Sequence, residues 1–147
     1  MTYSFDMDGT FANLYGVNGW LEDLKAERTR PYAEATPLFD MVGFRRMLKN
    51  IKDLGHKVEI VSWGSKNASP EFDEAVKMVK LDWLQEHGLM RYIDKVNVVH
   101  YGTPKSTIPA EIGILFDDEE KNRKEWEQAG GVAYDQNFLA KFVEDYT

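Results

Sequence analysis

The chain has 147 residues, with 18 Lys and Arg against 25 Asp and Glu, a formal net charge of -7 and no cysteine. That length suits one domain with a real core. The acidic balance speaks against a general nucleic-acid-binding surface, and the absence of thiols excludes a disulfide scaffold. A small phosphorylated ligand is still admissible, because a bound divalent cation inverts the local field. No apolar stretch approaches the ~20 residues that span a bilayer. No basic-then-apolar leader opens the sequence, so no membrane partner and a cytoplasmic location are expected.

Tyr3 to Met7 reads as a short apolar strand that runs into Asp6-Met7-Asp8 and a Gly9 turn. The segment at about 11–37 breaks the pattern that follows. It holds Trp20-Leu21, Leu24 and a turn-prone Arg28-Thr29-Arg30-Pro31, and reads as a short helix and loop, a small cap or flap over a site. Met41 to Leu54 puts Phe44, Met47, Leu48 and Ile51 on one helical face. Lys57 to Ser62 is a second strand. Ser69-Pro70 signals a helix start, and Phe72, Val76, Val79 and Trp83 form its stripe up to Gly88. Lys95 to His100 and Ile112 to Phe116 are the third and fourth strands. A polar helix from about Glu119 to Ala129 stops at Gly130-Gly131. Val132 to Tyr134 is the fifth strand, and Phe138, Leu139, Phe142, Val143 and Tyr146 recur at helical spacing after it.

Alternating strands and helices predict a three-layer Rossmann-like parallel sheet of about five strands, in one domain over 1–147 with the small insert at about 11–37. Ligands in such sheets bind beyond the carboxyl ends of the strands. Asp6, Ser62 and Asp117 each fall at or just past a strand end, which marks one shared site.

Each position has an ordinary reading beside the chemical one. Asp6 and Asp8 suit a carboxylate nucleophile with an acid beside it, but Asp-Gly turns at strand ends are common. Ser62, with backbone N–H groups of Trp63 and Gly64, suits a phosphate oxygen, or simply starts a turn. Lys105 sits in Gly102-Thr103-Pro104-Lys105-Ser106, where a lone lysine is usually solvated. Asp117 and Asp118 suit a hard cation with oxygen ligands, or the acid-rich start of a helix. His56, His87 and His100 have no metal-ligand spacing on one helix and read as surface or loop residues.

Taken together, Phe5-Asp6-Met7-Asp8-Gly9-Thr10, Ile60-Val61-Ser62, Lys105 and Leu115-Phe116-Asp117-Asp118 resemble, in kind and order, the haloacid dehalogenase (HAD) superfamily of Asp-nucleophile phosphohydrolases. The resemblance runs from Asp6 to Asp118. It implies Asp6 as nucleophile, Asp8 as general acid/base, Ser62 at the phosphate-binding position and Lys105 as the cation beside nucleophile and phosphate. It also implies Mg²⁺ held by Asp6, the backbone carbonyl of Asp8 and Asp117, with Asp118 assisting. Phe11-Ala12-Asn13 departs from the small or branched aliphatic residues more usual after such a loop. Lys95 competes poorly with Lys105, because it precedes a strand and lies at the wrong end. A receiver domain uses similar residues in another order, with its lysine last, whereas Lys105 precedes Asp117-Asp118.

The expected activity is Mg²⁺-dependent hydrolysis of a phosphomonoester through an aspartyl-phosphate. The alternative is a phosphate-binding or regulatory protein on the same fold with little hydrolysis. Capless or small-capped relatives include nucleotidases and polynucleotide phosphatases, so a nucleotide or a phosphorylated polymer end is a candidate substrate. Tyr15, Trp20, Arg28, Arg30 and Tyr32 of the insert offer stacking and anion-pairing groups, or else Trp20 packs on the core and the arginines are solvated.

Overall fold

A computed structural model describes residues 1–147. Strand β1 (Thr2–Phe5) is almost wholly buried and sits in the middle of the main sheet. The chain then forms a two-residue strand β2 (Ala12–Asn13), helices α1 (Trp20–Lys25) and α2 (Arg30–Glu34), and strand β3 (Thr36–Pro37). Helix α3 (Met41–Asp53), strand β4 (Lys57–Trp63), helix α4 (Pro70–Glu86) and strand β5 (Lys95–Val99) follow. Strand β6 (Ile114–Phe116), helix α5 (Glu120–Gln128), strand β7 (Val132–Tyr134) and helix α6 (Gln136–Glu144) complete the chain.

The main sheet has the order β5-β4-β1-β6-β7, and every pairing in it is parallel. The order reverses direction at β1, between β4 and β6. The architecture is α/β, with a five-stranded parallel sheet and six helices, consistent with the Rossmann-like three-layer fold predicted from the alternation. No helix is long and apolar enough to cross a membrane.

The helix boundaries follow from local chemistry. The Asp40 side chain accepts from the Val42 N–H at 3.0 Å and opens α3. Phe44, Met47, Leu48 and Ile51 of that helix are buried against Phe5, Val58 and Ile60. The Ser69 hydroxyl accepts from the Phe72 N–H at 3.1 Å, and Pro70 occupies the first turn of α4. Helix α5 is seated by Trp126, whose Nε1 donates to the Gly113 carbonyl at 3.1 Å. A side chain at Gly131 would overlap that indole.

The 11–37 segment is more structured than a helix and loop. Besides α1 and α2 it contains a 3-10 turn at Leu14–Gly16 and an antiparallel β2–β3 ribbon. Pro31 falls in the first turn of α2, where its missing N–H costs nothing, so the turn-prone stretch starts a helix. Leu14, Leu24 and Tyr32 form a small second core with Phe72 and Val76 of α4.

Trp83 ties this segment to the main core. It is 2% exposed, packs on Phe11, and its Nε1 donates to the Ala35 carbonyl at 2.7 Å. Truncating a buried tryptophan loses its transfer energy and leaves a cavity. Trp83→Ala is expected to destabilise the fold by about 3–5 kcal/mol, read by urea denaturation. A loss within about 0.5 kcal/mol, the range of ordinary surface substitutions, would show that the segment is not anchored there.

Candidate active site

The loop after β1 sets the geometry. The Asp6 N–H still donates to the Phe116 carbonyl at 2.8 Å, so Asp6 lies in line with the strand. The Met7 carbonyl then accepts from the N–H groups of Thr10, Phe11 and Ala12, which closes a tight turn. Gly9 adopts φ +79°, and a Cβ there would overlap the Asp118 carboxylate and crowd Tyr15. This position therefore needs glycine for conformation and for space.

Asp6 lies at the bottom of a dense polar cluster. Lys105 Nζ donates to Asp6 Oδ1 at 2.7 Å and to Asp117 Oδ2 at 2.8 Å. Lys105 is only 1% exposed, and its ammonium lies over the Trp63 ring. The Trp63 Nε1 donates to the Thr103 carbonyl at 2.8 Å, fixing the loop that carries Lys105. The Thr10 hydroxyl donates to Asp6 Oδ2 at 2.7 Å and accepts from the Asp118 N–H at 3.1 Å. Asn122 Nδ2 donates to Asp117 Oδ2 at 3.2 Å. Carboxylate oxygens of Asp6, Asp117 and Asp118 lie within 4.8 Å of one another, a spacing and donor set that suit a hard divalent cation.

The Asp8 carboxylate is not in that triad. It turns to Lys80 of α4, whose Nζ donates to Asp8 Oδ2 at 2.8 Å. Lys80 Nζ also donates to Ser62 Oγ and to the Trp63 carbonyl, each at 2.7 Å.

Opposing effects push the acids apart. Burial alone would raise the Asp6 pKa, but the charge and hydrogen bond of Lys105, with hydrogen bonds from Asp118 and Thr10, hold it below the ordinary carboxylate value. Burial raises Asp8 above that value despite Lys80. Burial, then the Asp6 charge, pushes Asp117 up to about 6, and the same two causes push Asp118 up to about 8. For Lys105, Asp6 and Asp117 outweigh burial and raise its pKa, so it stays charged.

A cavity of about 430 Å³ opens onto this cluster. Asp6, Asp8, Lys105, Asp117 and Asp118 line it, with Tyr15, Trp20, Trp63 and Tyr101 as its aromatic surface and Lys25 and Lys66 as further cations. Ser62 is fully buried and does not line it; its hydroxyl faces Lys80. The Gly64 N–H is taken by the Val99 carbonyl at 2.7 Å, so it is not free for a ligand. The next amides, of Ser65, Lys66 and Asn67, donate to no protein acceptor, and these residues line the cavity. Three successive N–H groups without a protein acceptor make this stretch, rather than Gly64, the candidate anion cradle.

The insert supplies Tyr15, Trp20 and Tyr32 to the lining, but not its arginines. Arg30 pairs with Asp23 and Glu34 and donates to the Asn18 carbonyl at 2.8 Å, and Arg28 pairs with Asp23 at 3.5 Å. Both arginines are spent on the outer surface. The histidines lie elsewhere: His100 pairs with Asp73, His56 stands near the N-terminus, and His87 packs against Trp83. Lys95 opens β5, at the far end from the site.

Lys80 and Thr10 are the participants that sequence reasoning did not single out. Lys80 interrupts the i, i+4 row Phe72, Val76, Lys80 and Leu84, all buried. A lysine in an apolar helical row was the available signal. No family model matches the chain, and no curated protein matches it.

The raised acids make stability depend on pH with a definite sign. Unfolded, Asp117 and Asp118 ionise near the ordinary 3.8, so the folded chain retains protons that the unfolded chain has released. Their contribution is complete below that value and is lost as pH rises through about 6 and about 8. With chelator present, the melting temperature is expected to fall from about pH 7 to about pH 9, above the range in which His87, lowered by burial, acts with the opposite sign, and Asp118→Asn to flatten that fall. A level or rising curve for the unsubstituted chain would contradict these shifts.

Proposed function

We propose that the chain is a Mg²⁺-dependent phosphomonoester hydrolase of the HAD type that works through an aspartyl-phosphate on Asp6. The observation that carries this reading is the opposite treatment of two carboxylates on one cavity. Asp6 is held ionised by Lys105 and Thr10, while burial favours the protonated form of Asp8. Environments that drive two acids apart are how one site assigns a nucleophile and an acid.

In the first step an Asp6 oxygen forms a bond to phosphorus as the bond to the leaving oxygen breaks. Asp8 gives its proton to that oxygen and becomes a carboxylate. In the second step Asp8 takes a proton from water, the water oxygen bonds to phosphorus, and the bond to Asp6 breaks. Inorganic phosphate leaves, with Asp6 ionised and Asp8 protonated as at the start. Lys105 offsets negative charge at Asp6 and the phosphoryl oxygens throughout. The free amides of Ser65, Lys66 and Asn67 are proposed to bind the remaining phosphoryl oxygens.

The oxygen-only donor set of Asp6, Asp117 and Asp118 fits Mg²⁺, and these residues would hold it. Bound there, it would neutralise charge between the nucleophile and the phosphoryl group. The aromatic lining suits a planar ring beside the phosphate, so aryl phosphates and nucleotides are the proposed substrate class. A phosphorylated polymer end falls in the same class if its last base occupies the aromatic surface. Lys25 and Lys66, not the arginines, are the cations placed to meet a second phosphate.

The test is hydrolysis of p-nitrophenyl phosphate and a nucleoside monophosphate with Mg²⁺ and with chelator. Turnover that needs Mg²⁺ and falls by at least ~10⁴-fold in a folded Asp6→Asn variant is expected. Turnover that survives Asp6→Asn would remove Asp6 as nucleophile. No turnover on a broad panel of phosphates would favour a phosphate-binding protein on the same fold.

A further inference from the structure

The cavity chemistry accounts for one buried lysine, Lys105, and leaves the other unexplained. Lys80 is fully buried, and unlike Lys105 it does not line the cavity. An ammonium removed from water is costly unless its protons are all received. Here all three are, by Asp8 Oδ2, Ser62 Oγ and the Trp63 carbonyl. The Tyr32 ring of α2 also lies close, 4.9 Å from Nζ to centroid. A lysine used only to seat α4 would not need a carboxylate that also faces a ligand cavity, and an apolar residue would fill the row at lower cost.

We propose that Lys80 is a positioning residue for the acid/base carboxylate: it fixes the Asp8 rotamer from behind and stabilises the charge that Asp8 acquires when it gives up its proton. This rests on the hydrolase reading above. Lys80 holds Oδ2, so Oδ1 is the oxygen left to reach the leaving group. As the proton departs, charge develops on a carboxylate already in contact with a cation, and no reorganisation is needed at that moment. Ser62 belongs to the same device. With its hydroxyl buried against Lys80, it orients the ammonium and does not touch substrate in this arrangement. Tyr32 makes the insert a wall of the Lys80 pocket, so the cap and the acid/base share one contact.

A residue that acts through Asp8 matters most when the leaving group needs a proton. The experiment compares an alkyl phosphate, glycerol phosphate, with p-nitrophenyl phosphate, in the unsubstituted chain, Lys80→Met, Asp8→Asn and the double variant, with Mg²⁺. Lys80→Met is expected to lower kcat on the alkyl phosphate at least ~10-fold more than on the aryl phosphate, with KM changed less than kcat. In the Asp8→Asn background the same substitution should have little further effect. Equal losses on the two substrates, or losses that simply multiply in the double variant, would overturn the role and leave Lys80 as packing. Lys80→Gln, which keeps a donor without the charge, is read the same way if the methionine variant does not fold.

A second measurement needs no change at Lys80. Side-chain ¹⁵N NMR of the unsubstituted chain should show a slowly exchanging Lys80 ammonium that shifts in Asp8→Asn. An unshifted signal would refute the contact itself. Absence of turnover on both phosphates in the unsubstituted chain would instead count against the hydrolase reading, and the Lys80 role would fall with it. That outcome is distinct from an active chain in which Lys80→Met affects both substrates alike.

Discussion

The buried contact of Lys105 with Asp6 and Asp117 is the interaction on which the rest of the site depends. It joins the ends of β1 and β6 through a cation from the loop after β5. Both acids and the lysine are nearly inaccessible to water, so none can lose its partner without leaving a stranded charge. Removing one member of such a group is far more costly than the net worth of the group. The same contact keeps Asp6 ionised while its neighbours are pushed toward the neutral form.

Charge balance also explains why so many parts of the chain converge. Four carboxylates, of Asp6, Asp8, Asp117 and Asp118, meet two ammonium groups, of Lys80 and Lys105. Each lysine takes a different acid pattern: Lys105 bridges Asp6 and Asp117, and Lys80 holds Asp8 alone. The excess of acid is met by proton retention, on Asp118 up to about pH 8 and on Asp117 only below about pH 6, and a divalent cation would displace those protons. Gly9 lets the loop pass close enough to Asp118 for this crowding, and Thr10 links Asp6 to Asp118 through one hydroxyl.

The parallel sheet was legible because strands and helices alternate and each strand is a short apolar run. Its details depended on hydrogen bonds that no pattern encodes. Tyr3 to Met7 reads as one strand, yet β1 stops at Phe5, because the Met7 carbonyl gathers three amides into a turn. The strand expected from Ile112 begins at Ile114, after Gly113 passes so close to the Thr2 backbone that a Cβ would overlap it. The acid positions were legible as strand-end punctuation, whereas Lys105, a lone loop lysine in sequence, was singled out only through the resemblance to the HAD superfamily. Lys80 left one weak signal, its place in the apolar row Phe72, Val76 and Leu84, which was easily passed over because a single lysine on a helix is ordinarily solvated. The Gly64 amide and the Ser62 hydroxyl looked available from order alone; the first is consumed by β5 and the second by Lys80. Arg28 and Arg30 could not be separated from Lys25 and Lys66 in sequence, since all lie near the insert or the loop after β4. Their partners decide the matter: Asp23 and Glu34 hold Arg30 outside the cavity.

The proposed nucleophile is tested most directly by locating the phosphoryl group. The Asp8→Asn variant, which should form the aspartyl-phosphate faster than it breaks it down, is mixed with p-nitrophenyl phosphate and Mg²⁺, quenched in acid and mapped by mass spectrometry. One phosphoryl group on Asp6, absent when Asp6 is also replaced by Asn, is the expected result. Product release with no phosphorylated peptide at any quench time, or a phosphoryl group on another residue, would contradict Asp6 as the nucleophile.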